Sequence, residues 1–218
     1  MSRRRWGRWV LGPCVVALTA TGCIGAVDRA DFEQVVRARG GGLVAALPAG
    51  AVTALADRLG VADPEATVIL LTAPESERFE IAMIDQPAHV TRFLGDGAGL
   101  ASRNATARLR IRDPRRPDQL DDYTYTLGAL GEPTPVRVYA GDLTDTAFAI
   151  GEVSALTRLE ELVDTSVTRS GLERASASAV LVHRSGANVL VTVNVTAPRG
   201  AAIAQFDAAG TFLRSQRI

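Results

Sequence analysis

Two hydrophobic periods run through this chain. Val52, Leu55, Ala56 and Leu59 recur at helical spacing, with Gly60 placed to end the turn in a left-handed conformation. Leu156, Leu159, Val163 and Val167 line one face of a second predicted helix, which Ser154 can cap and Gly171 ends. A shorter helix is predicted from Asp31, where Gln34 takes the capping-box position and Gly40-Gly41-Gly42 stops it. Strands are predicted at Thr67–Thr72, Phe79–Ile84 and His89–Leu94, separated by turns at Pro74-Glu75-Ser76 and Gln86-Pro87. More follow at Ala107–Arg112, Tyr123–Leu127 and Val136–Tyr139, then at Ser178–His183, Val189–Thr196 and Ala202–Phe206.

The order of long helix then three strands occurs twice. Ala66–Thr72 aligns with Ala177–His183, and Val90–Gly97 aligns with Ile203–Gly210, which makes Phe93 the counterpart of Phe206. The expected fold class is therefore α+β: two tandem helix-on-antiparallel-sheet modules, residues 31–140 with extra strands and residues 141–218. In topology each unit resembles the PepSY family and its relatives, small modules of secreted and envelope-attached bacterial proteins. That resemblance implies a helix cradled by a sheet, and a binding or inhibitory role in place of catalysis.

The first residues read as an address. Arg3, Arg4, Arg5 and Arg8 precede an uncharged apolar run, Val10–Ala20. The run falls short of the roughly 20 apolar residues a spanning helix needs, so residues 1–22 read as a signal peptide. Ala20-Thr21-Gly22-Cys23 resembles a bacterial lipobox, departing from it at Ala20, where Leu is usual. The resemblance implies cleavage before Cys23, lipid attachment at Cys23, and a tether over residues 23–30. Two acyl chains on one cysteine are what stable anchoring requires. The implied location is the extracytoplasmic face of the cell membrane, with the membrane as partner through a diacylglyceryl group. Ser2-Arg3-Arg4-Arg5-Trp6 also resembles a twin-arginine export motif, while a plain basic segment would serve general export equally well.

Charge and composition narrow the chemistry. Basic and acidic residues number 24 each, every base is Arg, and no block of charge advertises a nucleic-acid partner. With abundant Ala and Gly, the all-Arg usage suggests a GC-rich genome, and with the lipobox it resembles an actinobacterial-type envelope lipoprotein. Removing 22 of 218 residues takes away four Arg and no acid, leaving 196 residues with a net charge of −4. Cys14 leaves with them, so no disulfide and no Cys-based metal site is expected.

His89 and His183 are the only histidines, and no Gly-x-Ser-x-Gly elbow occurs. Their distance in sequence argues against a zinc site, and the alignment puts His183 at a strand rim. Gly95–Gly99 reads as a turn and not a phosphate cradle, since no P-loop Lys follows. Asp113, Asp118, Asp121 and Asp122 lack EF-hand spacing. No catalytic residue, metal or cofactor is expected.

One pattern invites a binding role. In Ala107–Arg112, alternation puts Leu109 and Ile111 on the core side and Arg108, Arg110 and Arg112 on the other. Arg137 in a nearby predicted strand extends the row. The four could hold an anionic envelope ligand through bidentate contacts. The reading that charge runs favour is a solvated face whose Arg pair with cross-strand acids such as Glu80. The sequence thus points to a non-enzymatic, membrane-anchored envelope lipoprotein that binds an envelope ligand or protein. The alternative is a lipid or glycolipid carrier with an apolar pocket between helix and sheet. Thr67–Thr72, apolar on both faces, favours a carrier. Val189–Thr196, with four Val on one side and Thr192, Asn194 and Thr196 on the other, does not.

Overall fold

A computed structural model describes residues 29–44, 47–74, 87–96, 103–139, 143 and 145–218. The signal segment, Cys23 and the strand predicted at Phe79–Ile84 lie outside the described residues. Four α-helices and ten strands are described: α1 (Arg29–Ala38), α2 (Leu47–Leu59), β1 (Glu65–Thr72), α3 (Ala88–Gly95), β2 (Thr106–Asp113), β3 (Arg116–Thr126), β4 (Ala129–Leu130), β5 (Thr134–Val136), β6 (Phe148–Ala149), α4 (Leu159–Ser170), β7 (Ser176–Ser185), β8 (Asn188–Ala197), β9 (Gly200–Asp207) and β10 (Phe212–Arg217). Two 3-10 turns, Ile150–Glu152 and Ser154–Arg158, lead into α4.

All ten strands belong to one antiparallel sheet, ordered β10-β9-β8-β7-β1-β2-β3-β4, with β5 beside β3 and β6 beside β1. The α+β class is thus observed. The first strands of the two predicted modules, β1 and β7, pair at the centre of this one sheet, with Leu70 opposite Leu181. As the midmost strand, β1 is buried from Ala66 to Thr72, which accounts for its unbroken apolar run.

The front face carries the main core. Ile69 and Leu71 of β1, Leu109 and Ile111 of β2, Val180 and Val182 of β7 and Val191 and Val193 of β8 meet α2 and α4 there. Leu55 of α2 and Leu159, Leu162 and Val163 of α4 are buried against them, each contributing about 1.5–3 kcal/mol relative to exposure. Gly60 (φ 69°) and Gly171 (φ 58°) end α2 and α4 in the left-handed conformation expected of them. The Ser154 side chain does not cap α4, because the 3-10 turn intervenes; its carbonyl instead accepts the Thr157 hydroxyl at 2.8 Å.

The back face is covered in part by α3, and here two expectations are corrected. Residues 89–94 form a helix and not a strand. Val90 and Phe93, three apart, drop onto Val68, Leu70, Ala179 and Leu181 and close a second apolar cluster. Phe93 is therefore no counterpart of Phe206, which lies on β9 and packs on the front face with its ring centroid 5.7 Å from that of Phe212. Val136 does fall in a strand, but β5 ends there and Arg137 lies beyond it. Helix α1 begins two residues before Asp31, which stands in its first turn and not at the cap.

Candidate functional site

The polar side chains of the sheet gather on its back face. Pairing sets their positions: Arg110 is directly across from Asp122, and Arg108 from Thr124. The Asp122 carboxylate accepts from Arg110 Nε at 2.8 Å and Nη2 at 3.0 Å, and also from Arg108 Nη2. Arg110 Nη2 reaches Asp96 at 2.9 Å, and Arg108 Nη1 donates to the Phe93 carbonyl at 2.8 Å, in the last turn of α3. Both guanidinium carbons lie over the Phe93 ring, 4.2 and 5.0 Å from its centroid. Burial works against the charge on Arg110, and the hydrogen bonds and charges of Asp122 and Asp96 outweigh it, leaving its pKa raised.

Leu109 and Ile111 do face the core, and the Arg side of β2 is the opposite one. Arg108 and Arg110 nevertheless turn inward beneath α3, where Asp122 takes the place an outside anion would have filled. Arg112 donates to the Pro117 carbonyl at 2.6 Å and to Glu65 at 3.1 Å. Arg137 sits over the Tyr139 ring at 5.7 Å. The sequence gives no hint of the Asp122 pairing until β2 and β3 are set in register.

The two histidines are neighbours, which corrects the expectation that they stand apart. His183 is opposite Val68 on one side and Leu190 on the other, fully buried and not at a rim. β7 continues two residues past it, and His89 in the first turn of α3 brings its ring centroid to 6.3 Å. Among the described residues neither ring nitrogen of His183 has a hydrogen-bond partner. Burial, helped by the nearness of His89, pushes its pKa down to about 4, so the ring is neutral at physiological pH. Among the described residues no group of three or more His, Cys, Asp or Glu is arranged to hold a metal ion. Further along, Gln205 donates to the Thr192 hydroxyl at 3.4 Å and accepts from Arg214 Nε at 2.6 Å.

The front of the molecule offers a different surface. Helix α2 and the 3-10 turns before α4 enclose an open groove of about 970 Å³, walled by Val44, Pro48, Val52, Ile150, Leu156 and Leu159. Asp63, Glu160 and Glu161 stand on its rim. Asp63 accepts from the Gly151 amide at 2.8 Å, and a Cβ at Gly151 would sit 2.9 Å from the same carboxylate, which would have to shift to admit it. The groove is of ligand-pocket size and mostly apolar. It lies between helices and not between helix and sheet. Val52 and Leu156, which periodicity assigns to the core, are half-buried in its walls, while Val44, Pro48, Ile150 and Leu159 are buried.

No family model matches this chain, and no curated protein matches it. Among solved structures, a chain of Clostridium difficile 630 described as a candidate lipoprotein superposes with a TM-score of 0.46 at 8% identity, covering 77% of this chain and 90% of that one. No helix among the described residues is long and apolar enough to cross a membrane.

Proposed function

We propose that this chain is a lipid-tethered, non-enzymatic binding protein of the bacterial envelope. The tether rests on Arg3–Arg8, the apolar run and Cys23. The binding role rests on one observation: the Arg and Asp side chains of the back face are spent on one another, while an open apolar groove lies beside α2. Glu160 and Glu161 on its rim are already paired with Arg39 and Arg158, so the groove suits a polypeptide segment through its apolar side chains. The apolar walls favour a second reading, the lipid carrier. Native mass spectrometry of protein extracted from its own envelope separates the two. A bound polypeptide supports the first, a bound lipid the second, and turnover of a substrate ester or peptide would overturn both.

We also read the chain as two units, α2 with β1–β4 and α4 with β7–β10, meeting through β1 and β7. The support is that Leu70 and Leu181 are counterparts in the Ala66–Thr72 and Ala177–His183 alignment and direct partners in the sheet, as a two-fold relation between the units would require. The PepSY likeness also needed Phe93 and Phe206 in equivalent places, and we carry it no further.

A further inference from the structure

Helix α1 presents an apolar stripe to solvent. Residues 31–37 are exposed on every side. Phe32, Val35 and Val36 are 60%, 46% and 38% exposed. Their i, i+3, i+4 spacing confines them to an arc of about 100°, with Glu33, Gln34 and Arg37 on the other side. A ten-residue helix without packing is marginal in water. Its far end is nonetheless fixed: Arg39 donates from Nε and Nη2 to Asp164 at 2.9 and 2.7 Å, and from Nη1 to Glu160 at 2.9 Å. Leu43, four residues on, is fully buried. The stripe is therefore held at a set angle to the fold.

Chain length says what covers it. Cys23 precedes Arg29 by six residues, and six residues span at most about 20 Å when fully extended. On the tethered reading proposed above, on which this inference rests, α1 can never leave the neighbourhood of the bilayer. We propose that α1 is an interfacial helix. It lays Phe32, Val35 and Val36 among the outer acyl chains, with Glu33, Gln34 and Arg37 at the headgroups, and so orients the sheet over the membrane. Two acyl chains already anchor the protein, so the helix sets orientation and adds little to retention.

The mature chain has no tryptophan background, because Trp6 and Trp9 both precede Cys23. The F32W full chain is expressed, and the mature protein is placed in phosphatidylcholine–phosphatidylglycerol vesicles with or without acyl-chain bromination. Mass spectrometry of the same sample reports lipid on Cys23. The comparator is A187W, on the β7–β8 turn, at the end of β7 away from Ala177, which lies beside Gly40. The expected result is a blue-shifted F32W emission that brominated chains quench, with A187W emission red and unquenched. An F32W emission as red and unquenched as that of A187W overturns the proposal. So does a blue shift that vanishes on diluting the protein in lipid, since a second copy would then be covering the stripe. If Cys23 carries no lipid, the tether reading fails; the helix proposal then stands only if added F32W protein is still quenched.

Discussion

Asp122 lies directly across from Arg110 and accepts two hydrogen bonds from its guanidinium, at 2.8 and 3.0 Å, in a region where Arg110 is 4% exposed and Asp122 9%. The same carboxylate also takes Arg108, so one acid balances the buried Arg110 and the part-buried Arg108, with help from Asp96. Removing Asp122 would leave two guanidiniums under α3 without their main counter-charge. Asp122→Ala should therefore cost about 3–5 kcal/mol in a denaturant titration. The apolar replacement R108M/R110M/D122L should cost much less, because it removes both guanidiniums together with the carboxylate they share. Equal losses in the two variants would show that the pair does not act as a charge pair.

His183 should make the protein acid-sensitive in a defined window. Its folded pKa, about 4, lies below the ordinary 6.5, so between those values the unfolded chain binds a proton that the folded one refuses. Stability should fall as pH drops from 6.5 toward 4, by roughly 3 kcal/mol in all. His183→Leu should flatten that slope in chemical melts at pH 7, 5.5 and 4. Asp113 and Asp207, held low chiefly by the backbone amides of Arg115 and Thr211, lose their contribution at lower pH in both proteins alike. An unchanged slope would show that His183 does not govern the window.

Leu159 opens α4 on its buried side at 2% exposure. Leu159→Ala should cost about 2–5 kcal/mol. Thr157→Ala, exposed two residues earlier, should change stability by less than about 0.5 kcal/mol. Urea midpoints of the two variants test which side of the segment entering α4 is buried, and similar shifts would contradict that assignment.

Cys23→Ser should abolish anchoring. Cell fractionation should find the variant in the medium, or retained as the uncleaved precursor. A processed variant that still sediments with membranes would refute lipid attachment at this cysteine.

Much of the fold is legible in the sequence, where one local rule suffices. The periods of α2, α4, β1, β2, β7, β8 and β9 mark those elements because each has a face that must be apolar along its whole length. Leu109 and Ile111 facing inward, and Val189, Val191, Val193 and Val195 in one row, follow from the two-residue repeat of a strand. The Cys23 motif also lies in the sequence alone, outside the described residues.

What period and alignment miss depends on which surface each segment meets. Residues 89–94 hold three strongly apolar positions, Val90, Phe93 and Leu94, in a segment too short for period alone to separate helix from strand; the apolar patch of Val68, Leu70 and Leu181 makes them a helix. Strand β10 carries its apolar and charged residues without alternation, and forms because β9 offers it an open edge. His89 and His183 are 94 positions apart, and Arg110 and Asp122 are 12. No local rule brings either pair together. The sequence alone determined which faces must be buried, because burial of apolar surface is set by each segment's own pattern. Only the tertiary structure decided which polar groups would be buried with them, because a charge can leave water only where another chain segment supplies its partner.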